Sequence, residues 1–402
     1  MKRLAIFVLL AFIGAVAAAT VWYLRAREPY RGYIGPEQFV EVSQGVGTKA
    51  IGDRLVSAGV VRDQLTYRVA LWMSGQARHL KAGEYRFDQP MTPVDVIGKL
   101  ARGDVYVVHV TFPEGLTIAD MSKIFESRGF GPAAAFVEAA SDAAVVRPLD
   151  PAAHDLEGYL FPETYALQRH TDAAKLVGLM VERFGHVFTT EMRKSSEARG
   201  LSVRQVVTLA SIVEKETARP EERPLVAAVY ENRLRLGMGL QCDPTVIYAL
   251  ERVGKYTGNL RRDDLAFDSP YNTYRYRGLP PGPIASPGKA SLEAAIHPAN
   301  ADYLYLVSRN DGSHEFAATL DEHNRNVHKY QIEYFRAGKA AGSADDAAAP
   351  ESGRSGGTGR AGQLRTSAGG GRNRGTGTTG KSRKSGKLGK LGKLGKESRR
   401  LP

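Results

Sequence analysis

The chain reads as an α+β protein: an apolar N-terminal helix, a small mixed α/β module, a larger and mainly helical domain with strands, and a tail without regular structure. Three observations predict this. "LAIFVLLAFIGAVAAATVWYL", Leu4 to Leu24, is 21 uncharged residues, long enough to cross a bilayer as a helix. Strand-like and helix-like patterns alternate up to about residue 109, after which amphipathic helices dominate. Beyond Ala337 the composition falls to Gly, Ala, Ser, Thr, Lys and Arg, too poor in apolar surface to offset the entropy of ordering.

The net charge of +12 belongs mostly to that tail. Residues 337–402 hold 15 Lys/Arg and four Asp/Glu, eleven of the twelve net positive charges, so the rest is nearly neutral and does not read as a nucleic-acid binder. The tail, with its "GKLGKLGKLGK" repeat, reads either as plain solubility or as attraction to anionic polymers or lipids. The single cysteine, Cys242, cannot close an internal disulfide and reads as a small buried hydrophobe.

In order, the apolar run is expected as a retained membrane anchor over 4–24, with residues 1–3 as a short stub. A signal peptide cleaved at "AVAAA" is the rival, but the run continues past it, and Trp22 and Tyr23 suit a membrane interface. Residues 25–37 read as a linker. Within 38–109, "FVEV" is a strand; Ile51, Leu55 and Val56 mark a helix ended by Gly59; and Leu65, Val69 and Trp72 make one apolar stripe on a second helix. "LKAGEYRF" is a turn and strand, "PVDVIGKLARG" a helix and "VYVVHVTF" a strand. Thr117, Ala119, Ile124 and Phe125 then echo Thr48, Ala50, Leu55 and Val56 at an offset of 69. Further on, "SVRQVVTLASIVEKET" is a helix capped by Ser202, and "ERPLVAAVYENRLRLGM" one with Pro224 in its first turn. "SPYNTYRYRGLPPGPIASPG" is too rich in Pro and Gly for regular structure, and long ordered loops of this kind carry function. A helix "SLEAAIHP", a strand "YLYLVSR", a turn "NDGS" and a last helix close the fold.

Glu214 and Glu216 concentrate the chemical interest. At 100° per residue, Val203, Val206, Val207, Ala210 and Val213 form one stripe that includes Glu214, while Glu216 lies about 200° further round, near Leu209 and Ile212. Carboxylates on opposite faces cannot flank one bond, so the two are not a glycosidase-type acid–base pair. One can act while the other holds structure; periodicity does not say which, and burial favours Glu214. His297, His314, His323 and His328 lack metal-ligand spacing, and no phosphate loop, Ser-His-Asp set or dinucleotide fingerprint stands out.

"LASIVEKET", "NRLRLGMGLQCDPTVIYAL", "SPYNTYRYRGLPPGPIASPG", "HPANADYLYLVS", "LKAGEYRF" and "LEGYLFPETY" together resemble the endolytic murein transglycosylases of the MltG (YceG-like) family. The likeness runs from the apolar helix to about Tyr334 and excludes the basic tail. It implies a single-pass inner-membrane protein with its folded part in the periplasm, a LysM-like α/β domain over 38–109 and a catalytic domain over 110–337; the disordered tail over 338–402 is read from composition alone. It implies cleavage of the β-1,4 bond between N-acetylmuramic acid and N-acetylglucosamine within nascent glycan strands, without a cofactor or metal. Its catalytic glutamate is the one followed by Thr or Ser, here Glu216 before Thr217. Glu214 is then a structural carboxylate expected to meet a buried arginine or backbone amide.

Gln241, Asn272 and Tyr274 are expected to hydrogen-bond to or stack on sugars, with Asn272 and Tyr274 alternatively tying down the Pro/Gly loop. Asp243 is expected to cap a helix, and Glu163 is divided between the same two kinds of role. Cys242 departs from the polar residue expected there. Peptidoglycan synthases are the implied protein partners. The competing reading is a non-catalytic, membrane-anchored peptidoglycan-binding scaffold. A pyridoxal-phosphate lyase, an old label for the family, would need a Schiff-base lysine and a cytoplasmic location, which the anchor argues against.

Overall fold

A computed structural model describes residues 2–334 and 336. The tail expected over 338–402 lies outside the described residues. The architecture is mixed and mainly helical, with three small antiparallel two-stranded sheets among the described residues. It forms two compact units: residues up to 145 together with 162–183, and residues 146–161 together with those from 184 onward.

The first unit opens with α1 (Lys2–Arg27), whose apolar stretch is long enough to cross a membrane. Then follow β1 (Gln38–Val42), α2 (Thr48–Ser57), α3 (Gln64–Ser74) and β2 (Gly83–Phe87). β1 pairs antiparallel with β2, from Gln38 opposite Phe87 to Val42 opposite Gly83. One apolar core joins Val40, Ile51, Leu55, Tyr67, Ala70, Tyr85 and Phe87 to Ile97 and Leu100 of α4 (Pro93–Arg102). Residues 25–37 do not stand clear of it: Ala26 is fully buried in that core, and the Tyr30 and Gly32 N–H groups donate to the carbonyls of Met91 (3.0 Å) and Gly59 (2.8 Å).

The expected stripe on α3 is rotated. Thr66, Tyr67, Ala70 and Leu71 are buried, while Leu65 is 45% and Trp72 82% exposed. Gly52 supplies the reason: a Cβ there would stand 2.4 Å from the Tyr67 ring, so the bare backbone of α2 is the seat that draws this face inward.

The strand–helix–helix–strand order then recurs as β3 (Val108–Thr111), α5 (Ile118–Ser127), α6 (Ala133–Ser141) and β4 (Thr164–Leu167), with β3 antiparallel to β4. The echo has an offset of 70, not 69. Helices 48–57 and 118–127 correspond, as do the buried positions Ile51, Gly52 and Leu55 with Met121, Ser122 and Phe125. Gly59 and Gly129, at φ 69° and 79°, follow the two helices. The two threonines stand one residue out of step, because Thr117 is the N-cap of α5 whereas Thr48 is already inside α2, behind Gly47. α7 (Ala173–Val187) continues the chain into the second unit.

That unit contains α8 (Thr190–Ala198), α9 (Val203–Glu216), α10 (Arg223–Arg235), α11 (Asp243–Glu251), α12 (Lys289–Ile296), the hairpin β5 (Tyr305–Ser308) and β6 (His314–Ala317), and α13 (Leu320–Val327). α9 is its axis. Ser202 and Gln205 close a capping box at its start, a motif worth about 1 kcal/mol. From Val206 to Val213 every residue is buried, so the helix is enclosed all round and the predicted single stripe understates its burial. β6 is the element the sequence did not announce: "HEFA" is four residues of mixed polarity, made a strand by pairing with "YLVS".

Candidate active site

The Pro/Gly loop lies along α9 and is fastened to it at three successive points. Arg204 Nη1 donates to the Pro281 carbonyl (3.2 Å), Ser211 Oγ accepts from Ile284 N–H (3.0 Å), and Glu214 Oε2 accepts from Gly288 N–H (3.0 Å). Arg204 is itself held by the buried Asp150, which also accepts from Tyr159 O–H at 2.6 Å. Gly158 permits the close approach: at φ 84°, a Cβ would lie 2.5 Å from Pro283 and 2.9 Å from Val207. A segment without regular hydrogen bonding thereby has part of its buried backbone satisfied by side chains of α9.

Glu214 belongs wholly to this scaffold. Besides Gly288 N–H, its carboxylate accepts from Ser291 Oγ–H (2.7 Å) and from Arg223 Nη2 (3.0 Å), with both side chains of the ion pair almost fully buried. It meets both the arginine and the backbone amide expected of a buried carboxylate. Gly288 is the N-cap of α12, so the negative charge also sits at the positive end of that helix.

Glu216, two residues on, faces a different setting. It is the last residue of α9, and Thr217 turns the chain to extended geometry at φ −135°. Its Oε2 accepts from Tyr230 O–H of α10 at 2.8 Å, with Cys242 Sγ at 3.6 Å from the same oxygen. The residue as a whole is half-buried, like Glu214, so what separates the two is their partners. Burial pushes its carboxyl above the ordinary glutamate range, and the Asp243 charge adds to this, against the opposing pull of Tyr230, His314 and Cys242. Tyr230 and Cys242 are both raised well above their usual values, burial first, so each stays neutral and can donate.

The segment that brings Cys242 to Glu216 is held by Arg233, whose Nη1 donates to the Leu240 carbonyl (2.8 Å) and Nε to that of Leu304 (2.6 Å). Thr273 holds it too, accepting the Cys242 N–H at its hydroxyl (3.0 Å) and the Gln241 N–H at its carbonyl (3.2 Å). Gln241 is exposed and holds φ 50°, a left-handed conformation costing a non-glycine residue on the order of 1 kcal/mol. Asn272 is fully buried. Its amide donates to the carbonyls of Leu265 (2.9 Å) and Phe267 (2.7 Å) and accepts from Tyr274 N–H (3.0 Å), so its geometry serves the loop. Tyr274 is half-buried and donates to Asp243 Oδ1 at 2.5 Å.

Asp243 therefore does not cap α11 with its side chain: Cys242 occupies the N-cap position, and the carboxylate instead receives the Tyr274 hydroxyl. Glu163 pairs with Arg183 inside the first unit. Sequence reasoning missed Tyr230, 14 residues and one helix away from Glu216, and saw Cys242 only as apolar filler. It weighed His314 only as a metal ligand and overlooked Glu222, which His314 contacts. Nothing in the spacing of these residues marks them, since packing alone brings them together.

Known proteins resemble the chain across this whole region. Residues 40–329 match the YceG-like family. A Bacillus subtilis protein named endolytic murein transglycosylase is 31% identical over 310 residues, 72% of this chain and 84% of that protein. A protein of the same name from Streptococcus pneumoniae strain D39 is 29% identical over 319 residues, again 72% of this chain but 57% of the longer relative. The crystal structure of a YceG-like protein from Listeria monocytogenes is 30% identical, with a TM-score of 0.50, covering 72% of this chain and 98% of that one. The match spans both strand–helix–helix–strand repeats, α9 and the Pro/Gly loop, and the chain belongs to the YceG-like family.

Proposed function

We propose that this chain is an endolytic lytic transglycosylase, a lyase that cleaves the bond from N-acetylmuramic acid to N-acetylglucosamine within nascent peptidoglycan strands and leaves 1,6-anhydro-muramic ends. The observation that carries the reading is the setting of Glu216: at a helix end, with one oxygen held by neutral donors and its carboxyl biased by burial toward the protonated form. A general acid working near neutral pH needs that bias. Glu216 gives its proton to the glycosidic oxygen as the C1–O bond breaks and C1 takes on oxocarbenium character. It then takes the proton of the muramic C6 hydroxyl as that oxygen bonds to C1. No water is consumed and no second carboxylate is required, and holding the hydroxyl within the same sugar lowers the entropic part of the barrier.

Gln241 and Tyr274 are proposed to contact sugar, supported by the exposed, strained position of the first and the half-open ring of the second. Asn272 contributes by shaping their loop. Residues 38–109 are proposed as a LysM-like glycan-binding domain, supported by their own core and strand–helix–helix–strand order, and 110–337 as the catalytic domain. α1 is proposed as a single inner-membrane span with the folded part periplasmic, supported by its length and hydropathy. Peptidoglycan synthases are the proposed protein partners, and anionic envelope polymers or lipids those of the basic tail. The test is mass spectrometry of products from purified sacculi. Glu216→Gln is expected to release 1,6-anhydro muropeptides at least about 10²-fold more slowly while still binding glycan; release at the wild-type rate would sink the assignment.

A further inference from the structure

Beyond Glu216 the chain is tied down by a second carboxylate. Thr217 Oγ–H donates to Glu222 Oε2 at 3.0 Å and accepts the Arg219 N–H at 3.1 Å. Glu222 ends the short 3-10 turn Pro220–Glu222 and is buried. It takes two contacts from one residue of β6: the His314 backbone N–H lies 2.9 Å from Oε1, and His314 Nδ1 lies 2.7 Å from Oε2. One carboxylate thus joins the end of α9 to the β5–β6 hairpin and fixes the imidazole, whose side chain is only 11% exposed.

Tyr230 from α10 and Cys242 at the start of α11 contact Glu216. Asp243 of α11 and Tyr274 of the Pro/Gly loop interact with it through their charges, and His314 from β6 reaches its neighbour Thr217 through Glu222. Among these, His314 alone can be a cation. Burial works against the Glu222 carboxylate, but the His314 hydrogen bonds, with Thr217, hold it below the ordinary range, so it stays anionic beside the ring.

We propose that Glu222 and His314 are a positioning pair for the transglycosylase reaction, Glu222 holding the imidazole where its protonated form offsets the charge on Glu216 after proton donation. The inference rests on the reading of Glu216 as the acid–base group. In the cycle, the proton leaves Glu216 for the leaving oxygen and returns to Glu216 from the C6 hydroxyl; the imidazole keeps its own proton throughout. Its work is to lower the cost of the carboxylate that exists between those two transfers, and Thr217, pinned by the same Glu222, keeps the end of α9 from swinging away.

The test is the pH profile of 1,6-anhydro product release by the full chain and by its Glu216→Gln, His314→Gln, Glu222→Gln and doubly substituted His314→Gln/Glu222→Gln variants. His314→Gln is expected to slow release roughly tenfold. It should also move the alkaline limb, where Glu216 loses its proton, to higher pH by about half a unit or more. Glu222→Gln should move the limb in the same direction, and the double variant no further than the larger single effect. A purely structural role would lower the rate at every pH and leave the limb in place.

The coupling is also expected from the other side. In nuclear magnetic resonance titrations, Glu216→Gln should lower the pH at which the His314 ring titrates, a measurement that needs no His314 variant to fold. Inactive Glu216→Gln with an unmoved limb in His314→Gln, or with unmoved His314 titration, overturns the pair and leaves the Glu216 assignment standing. Active Glu216→Gln overturns both.

Discussion

Glu214 and Glu216 leave the same helix two residues apart and meet opposite treatment. Glu214 is matched on both oxygens by a guanidinium, a backbone amide and a hydroxyl. Glu216 has two neutral donors on one oxygen and a bias toward protonation. A helix advances 100° per residue, so a step of two carries a side chain to the far side, from the brace between α9 and α12 to the wall made by α10 and α11. Charge that is fully met serves stability; charge left partly unmet is available for chemistry.

The largest expected effect is on Glu216. Glu216→Gln should lower anhydro-product release by about 10²–10⁴-fold, the usual worth of a positioned acid–base group, with the fold intact. Glu214→Gln should keep the active-site chemistry per folded molecule, so loss of turnover in a folded Glu214→Gln protein would erase the contrast. Glu214→Ala is expected to destabilise the chain by about 3–5 kcal/mol in urea unfolding, as a buried ion pair loses one member.

A third expectation concerns pH and stability. A glutamate whose pKa is raised on folding stabilises the fold fully below its unfolded pKa, and that contribution is lost as pH rises through the folded value. Glu216→Gln should therefore be more stable than wild type above that window and lose its advantage in acid, as denaturation midpoints across pH will test. Glu222, lowered on folding, contributes the opposite way: its stabilisation is present above the unfolded pKa and fades as pH falls. The smallest expected effect is that of Tyr230→Phe. Removing the hydroxyl takes a donor from the Glu216 carboxylate, so the alkaline limb of the rate profile should rise by up to about one unit, with a stability change of about 1 kcal/mol.

Where local chemistry decides, the sequence was a good guide. Ser202 capped α9, Pro224 opened α10, and the separation of the two glutamates followed from helical geometry alone. Where two apolar faces competed, as on α3, the choice depended on Gly52 of another helix, and pattern could not see it. The site divided in the same way. Glu216 was singled out only through the family resemblance; the neighbours Tyr230, Cys242 and His314 come from three further elements, related to it only by packing. Asp243 held a capping position on paper, but a tyrosine hydroxyl reached it first.

The burial of Ala26 has a mechanical consequence. The last turn of α1 is part of the core of the first strand–helix–helix–strand repeat, and residues 30 and 32 are hydrogen-bonded to its surface. The joint between the apolar helix and that repeat consequently has no slack, and behaves as a stiff spar and not as a rope. In the membrane-spanning role proposed for α1, tilt or rotation of the helix would pass directly into the repeat, and lipid thickness would set the attitude of this module as well as its address.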